Sequence, residues 1–147
     1  MNSKDVGNLG EAKVIADLIS KQLGVAQVFG DNLPFDLIGI SKPKYKLYKI
    51  QVKYSKVTRG TVKLRKQKWS SNTQRNYVSV YEDDDVDVYA VYVPDLDKVL
   101  YIKHDTIKHI KNSFEIRILE AKGTQQHSLR INHYSKYLEF PLDNMPE

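Results

Sequence analysis

Residues 33–56, LPFDLIGISKPKYKLYKIQVKYSK, constrain the fold more than any other stretch of the chain. Two short apolar runs, Phe35 to Ile40 and Lys46 to Tyr54, flank Lys42-Pro43-Lys44-Tyr45. That order reads as a β-hairpin closed by a four-residue turn. In this register Asp36 lies opposite Gln51, and their side chains share one face of the sheet. Register decides everything here, because a slip of one residue sends every side chain to the other face. On the second strand Tyr48, Ile50, Val52 and Tyr54 alternate with Leu47, Lys49, Gln51 and Lys53. A carboxylate, an amide and a lysine therefore interrupt an otherwise ordinary pair of strands.

The elements around the hairpin follow from periodicity. Ser3 to Leu23 reads as a helix: Leu9, Ala12, Ala16, Ile19 and Leu23 fall at helical spacing, Ile15 and Leu18 widen the stripe, and Gly24 ends it. A short strand is expected at 25–29, then a turn at GDNLP. TVKLRKQKW (61–69) reads as a strand or the edge of a helix, and SSNTQRN (70–76) as a polar loop. VDVYAVYV and VLYIK, joined by PDLD, form a second hairpin over about 86–103, with a short helix from His104. The last stretch, 112–147, mixes strand-like FEIRIL and SLRIN with turns. The element order predicts an α+β (mixed α/β) sandwich. At 147 residues, with no repeat or linker, the chain is read as one domain, 1–147.

Charge is distributed unevenly. Between Leu37 and Tyr81 there are twelve Lys or Arg and no Asp or Glu; the remaining 11 basic residues share the rest of the chain with all 18 acids, a balance of −7. A block of +12 on an otherwise negative chain is a focused field of the kind that attracts a polyanion, nucleic acid above all. Lys56, Arg59, Lys63, Arg65, Lys66 and Lys68 are the expected phosphate contacts, and Arg75 lies in the stretch suited to reading base edges. EDDDVD (82–87) resembles a metal site in composition, but reads better as the solvated lead-in to a strand. With no cysteine, disulfides and thiolate metal sites are excluded, and the four scattered histidines lack zinc-ligand spacing. No run is long and apolar enough to span a bilayer, and the N-terminus lacks the order of a signal peptide. A cytoplasmic protein with no membrane partner is expected.

Glu11 sits four residues before Ile15 and seven before Leu18, at the end of the helical stripe. Taken singly, Glu11, Asp36, Gln51 and Lys53 are unremarkable surface positions. Taken together, they offer two carboxylates, an amide oxygen and a lysine from elements that can converge. Hard oxygen ligands of this kind suit Mg²⁺ completed by substrate phosphate oxygens.

An acid at a strand end, followed on the next strand by an acid or amide, any residue and lysine, resembles the PD-(D/E)XK nuclease superfamily. The matching residues are Pro34-Phe35-Asp36, with one residue inserted after the proline, and Gln51-Val52-Lys53. GNLGEAKVIADL (7–18) is similar to that superfamily's first core helix, which gives Glu11 the part of the helical acid. VDVYAVYVPDLDKVLYIK (86–103) is similar to the strand pair after the catalytic hairpin. The resemblance covers about 7–103, leaving 104–147 as a C-terminal extension.

This resemblance implies a restriction-endonuclease-like core, a central mixed sheet flanked by helices. It further implies a Mg²⁺- or Mn²⁺-dependent endodeoxyribonuclease acting on double-stranded DNA and leaving a 5′-phosphate. Glu11, Asp36, Gln51 and the Val52 carbonyl would be metal ligands, and Lys53 would position or deprotonate water or stabilise charge. Gln51 departs from the usual Asp or Glu. Glutamine at this place is similar to small homing endonucleases encoded in group I introns, which suggests a site-specific enzyme of that kind. One site per chain cuts one strand, so a homo-oligomer, dimer or tetramer, is expected. The alternatives are a Holliday junction resolvase sharing the same site, or an inactive nucleic-acid-binding module of the same fold.

Overall fold

Asn2 starts the first helix: its side-chain oxygen accepts from the Asp5 backbone N–H at 2.9 Å, and the Asp5 carboxylate accepts in return from the Asn2 N–H. This reciprocal cap satisfies two of the donors that every helix start leaves open. In the computed structural model the backbone of residues 1–65, 67–71, 76–80, 82–119 and 132–143 is described, with side chains outside 66–81. Helix α1 (Ser3–Ser20) is followed by β1 (Gly24–Gln27), β2 (Leu37–Ile40), β3 (Leu47–Tyr54), β4 (Thr61–Arg65), β5 (Gln67–Ser71) and β6 (Asn76–Val80). Then come β7 (Val88–Val93), β8 (Lys98–Lys103), the single turn α2 (His104–Ile107), β9 (Ser113–Arg117) and a 3-10 helix (Tyr134–Tyr137).

Five strands form the main sheet in the order β1-β2-β3-β7-β8. All neighbours are antiparallel except β3 and β7, which run parallel. A parallel pair needs a crossover, and the chain between them leaves the sheet to make β4, β5 and β6. β4 pairs with β9, and β5 pairs with β6, as two separate antiparallel ribbons. The segment 61–69 is thus two strands in two ribbons, where one strand or helix edge was expected. The expected polar loop at 70–76 gives up its ends to β5 and β6, and its centre, 72–75, lies outside the described residues, as does most of SLRIN.

β7 is buried at all six positions, which explains why VYAVYV is continuously apolar rather than alternating. Val88, Ala90 and Tyr92 join the core under α1, with Val14, Leu18, Tyr48 and Ile50. Tyr89, Val91 and Val93 join a second core with Val62 and Leu64 of β4, Ile107 of α2 and Ile116 of β9. The main sheet is therefore covered by α1 on one face and by the β4–β9 ribbon with α2 on the other.

The helix packs on a narrower line than its apolar stripe implies. Gly10, Val14 and Leu18 are its buried residues, whereas Ala12 and Ala16 are exposed and Ile19 is 59% exposed. The first half of α1 lies against β3 at Gly10, where a Cβ would stand in ordinary contact, 3.7 Å from Tyr54 and Val52. The contact face runs through 10, 14 and 18, a spacing of one turn plus a fraction.

The acidic turn 82–87 is held by hydrogen bonds. Asp87 accepts from the Lys49 N–H at 2.8 Å and its own N–H donates to the Lys49 carbonyl, which prolongs the β3–β7 pairing. Asp85 accepts from the Glu82 N–H at 2.8 Å. Asp83 meets Nε2 of the buried His104 at 2.9 Å, and His104 Nδ1 meets the Tyr89 hydroxyl at 2.8 Å. Among the described residues no three His, Cys, Asp or Glu side chains gather closely enough to hold a metal ion. The carboxylates instead turn the chain into β7. No helix among the described residues is long and apolar enough to cross a membrane.

Candidate functional site

The hairpin forms in the register expected from its sequence. β2 and β3 pair Leu37 with Ile50 and Ile40 with Leu47, and Ser41 N–H donates to the Lys46 carbonyl across the turn. Continued by one step, that register sets Asp36 against Gln51, and the Asp36 N–H donates to the Ile50 carbonyl at 2.8 Å. Tyr48, Ile50, Val52 and Tyr54 pack into the core beneath α1. Alternation then directs Gln51 and Lys53 away from that core, one side-chain step apart.

Asp36 sits where β2 begins. One carboxylate oxygen, Oδ2, accepts from the Val52 backbone N–H at 2.8 Å. The carboxyl is half-buried, and burial pushes its pKa above the ordinary aspartate value against the pull of the Val52 N–H and the Lys53 ammonium. Glu11 arrives from α1, next to Gly10, which packs against Tyr54 and Val52 of β3. Its pKa is also raised, first by burial and then by the negative charge of Asp36, while a hydrogen bond from the Gln27 side chain works the other way. Two carboxylates that each resist ionisation, one through the other's charge, mark a place where a cation would be stabilised.

Gln51 turns back on its own strand: Nε2 donates to the Val52 carbonyl at 3.2 Å. A glutamate could not make this bond, since it has no proton to donate when ionised. The structure thus brings Glu11, Asp36 and Lys53 into one electrostatic neighbourhood and links Gln51 to the Val52 carbonyl. Gln27 joins them through Glu11. It carries no signal in the sequence, being a polar residue at the end of an edge strand, and only the β1–β2 pairing of Gln27 with Leu37 places it there.

The basic residues fare unequally. Lys56, Arg59 and Arg65 are exposed. Lys63 is also exposed, but its ammonium lies 3.6 Å from the Glu115 carboxylate directly across the β4–β9 ribbon. Outside the expected contacts, Lys46 pairs with Asp143, which also lies 3.5 Å from Lys103. The acid-free block of sequence is therefore partly neutralised in space by acids from distant positions. Lys66 and Arg75, and the side chain of Lys68, lie outside the described residues.

Two surface hollows, of about 180 and 430 Å³, include none of Glu11, Asp36, Gln51 or Lys53. All four are half-buried.

A family described as PD-(D/E)XK endonuclease matches residues 1–140. No curated protein matches the chain in sequence. Among solved structures, a bacterial homing endonuclease, I-Ssp6803I, shares the fold with a TM-score of 0.72 at 20% sequence identity, over 89% of this chain and 88% of that one. The five-stranded mixed sheet and its flanking helices are those of a restriction-endonuclease-like fold.

Proposed function

Since this chain belongs to the PD-(D/E)XK endonuclease family, we propose that it is a divalent-metal-dependent endonuclease of double-stranded DNA whose active site is Glu11, Asp36, Gln51 and Lys53. The single observation that carries this reading is the pair of raised carboxylates, Glu11 and Asp36, beside Lys53. A nearby cation relieves such a pair without protonating it. The donors on offer, two carboxylates, an amide oxygen and the Val52 carbonyl, are all hard oxygens and fit Mg²⁺ or Mn²⁺. When bound, such an ion lowers the pKa of a coordinated water and offsets phosphate charge.

The residues have separable parts. The Val52 N–H fixes one Asp36 oxygen, which leaves the other as the one that would hold a metal ion. Glu11, hydrogen-bonded by Gln27, would be the second carboxylate to hold it. Gln51 uses its amide hydrogen to hold the Val52 carbonyl in place and keeps an oxygen to offer. Lys53 positions the attacking water and stabilises charge accumulating on the phosphate. The water oxygen bonds to phosphorus, the bond to the 3′-oxygen breaks, and the products are a 5′-phosphate and a 3′-hydroxyl.

Likeness in fold to a homing endonuclease favours a long, specific target. Cutting both strands then calls for at least two copies of the chain. Lys56, Arg59 and Arg65 are the exposed cations best placed in the sequence to meet the duplex backbone. The test uses a supercoiled plasmid carrying a duplex that the protein selects from a randomised library: Mg²⁺ should convert it to nicked and linear forms, and a chelator should abolish the conversion. Intact plasmid with Mg²⁺ and with Mn²⁺ would rule out the assignment.

The glutamine makes its own prediction. Gln51→Glu sets an acceptor against the Val52 carbonyl and a third negative charge beside Asp36. The metal-free protein should lose about 1–3 kcal/mol of stability at neutral pH. Added Mn²⁺ should restore most of the loss. Paired thermal melts with and without the ion check this; a variant as stable as the parent without metal would show that Gln51 does not face the site.

A further inference from the structure

The loop joining β1 to β2 springs from the catalytic aspartate itself. Val28 N–H donates to the Asp36 carbonyl at 3.2 Å, which continues the β1–β2 register and closes the base of a seven-residue loop, residues 29–35. Phe29, the first residue beyond that base, is fully exposed, and Leu33 is 53% exposed. Gly30 takes a positive φ of 84°, so the chain turns sharply just past the phenylalanine. Gln27, two residues before Phe29, contacts Glu11. Phe29 thus stands two residues from Gln27 on one arm of the loop, and Leu33 three residues from Asp36 on the other.

We propose that Phe29 inserts into the DNA as an apolar wedge next to the scissile phosphate, with Leu33 packing beside it in the minor groove. This rests on the nuclease reading above and adds a contact that positions the substrate. Three observations favour DNA as the occupant. A duplex whose phosphate reaches Asp36 must pass the loop, because half of a seven-residue loop reaches at most about 12 Å. A phenylalanine and a leucine together offer only about 300 Å² of apolar surface, well short of the roughly 800 Å² per partner that a stable protein interface needs. The ring also matches the side chains that proteins drive between base steps from the minor groove. The loop's single charge is Asp31, so its hold on DNA is apolar and independent of counterion release. That separates it from the lysines, whose contribution must weaken as salt rises.

The experiment uses the full chain with Ca²⁺ in place of Mg²⁺, and a duplex selected by the parent from a randomised library. 2-Aminopurine is placed at successive steps around the cut position. Phe29→Ala should bind about tenfold more weakly at both low and high salt. The parent should raise 2-aminopurine fluorescence at one step beside the cut, and the variant should not. Phe29→Trp should keep both affinity and signal. Sedimentation should show the same assembly for all three proteins, and circular dichroism the same fold, since the side chain packs against nothing. Unchanged affinity with Phe29→Ala, a penalty that fades with salt, or a smaller assembly would each overturn the proposal; the last would assign the loop to a second copy of the chain. A parent that neither binds duplex with Ca²⁺ nor cuts with Mg²⁺ fails at the earlier step and removes both readings.

Discussion

Asp36→Asn should abolish DNA cleavage while making the metal-free protein more stable at neutral pH. The two effects have one cause. The carboxylate is partly buried and its pKa is raised, with burial as the leading reason. For an acid whose pKa is higher in the folded than in the unfolded chain, the associated stability is fully present below the unfolded value. It is lost as pH rises through the folded one. At neutral pH the parent therefore carries the cost of an ionised, desolvated group. Asparagine removes the charge and still accepts from the Val52 N–H, so the local hydrogen bond survives. Thermal melts in chelator should show the variant above the parent at neutral pH, with the gap narrowing as the medium is acidified below the ordinary aspartate range. Cleavage under single-turnover conditions should fall by at least about a hundredfold to a thousandfold, the usual cost of losing a group that stabilises the transition state. A variant that is less stable than the parent at neutral pH would mean that the carboxylate is structural.

Lys53→Met should reduce the cleavage rate by a factor of about 10²–10⁴ while leaving DNA affinity within severalfold. The thioether keeps the length and apolar stem of the lysine but neither its charge nor its protons. Because the Lys53 ammonium pulls the Asp36 pKa down, its loss should also move the acidic limb of the residual pH–rate profile upward. That shift distinguishes a lysine acting at Asp36 from one that merely binds phosphate elsewhere. In the latter case affinity would fall, its salt dependence would weaken, and the profile would stay where it was.

The hairpin was legible because its pattern is local. A turn of fixed length between two alternating strands determines the register, and register alone sets Asp36 against Gln51. The β7–β8 hairpin was legible for the same reason, with Pro94 to Asp97 as the turn. What escaped depends on approach between distant segments. The contact face of α1 depends on how the helix meets β3, so the apolar stripe alone placed Ile19 toward the core when it is exposed. Lys63 looked like a free phosphate contact until β9 brought Glu115 across from it. Gln27 became visible only once β1 was paired and Glu11 had a position. The split of 61–69 into two ribbons followed from long-range pairing with β9, which no local pattern announces.

The proposed metal site can be tested directly by loading the protein with Fe²⁺ and adding peroxide and ascorbate. Hydroxyl radicals generated at the bound ion cut the polypeptide next to it, and mass spectrometry maps the breaks. The site argued here predicts fragments ending near Glu11, near Asp36 and across Gln51 to Lys53, suppressed by excess Mg²⁺ and absent in Asp36→Asn. Breaks confined to the acidic turn at 82–87 and to the neighbouring His104 would place the ion elsewhere and contradict the account.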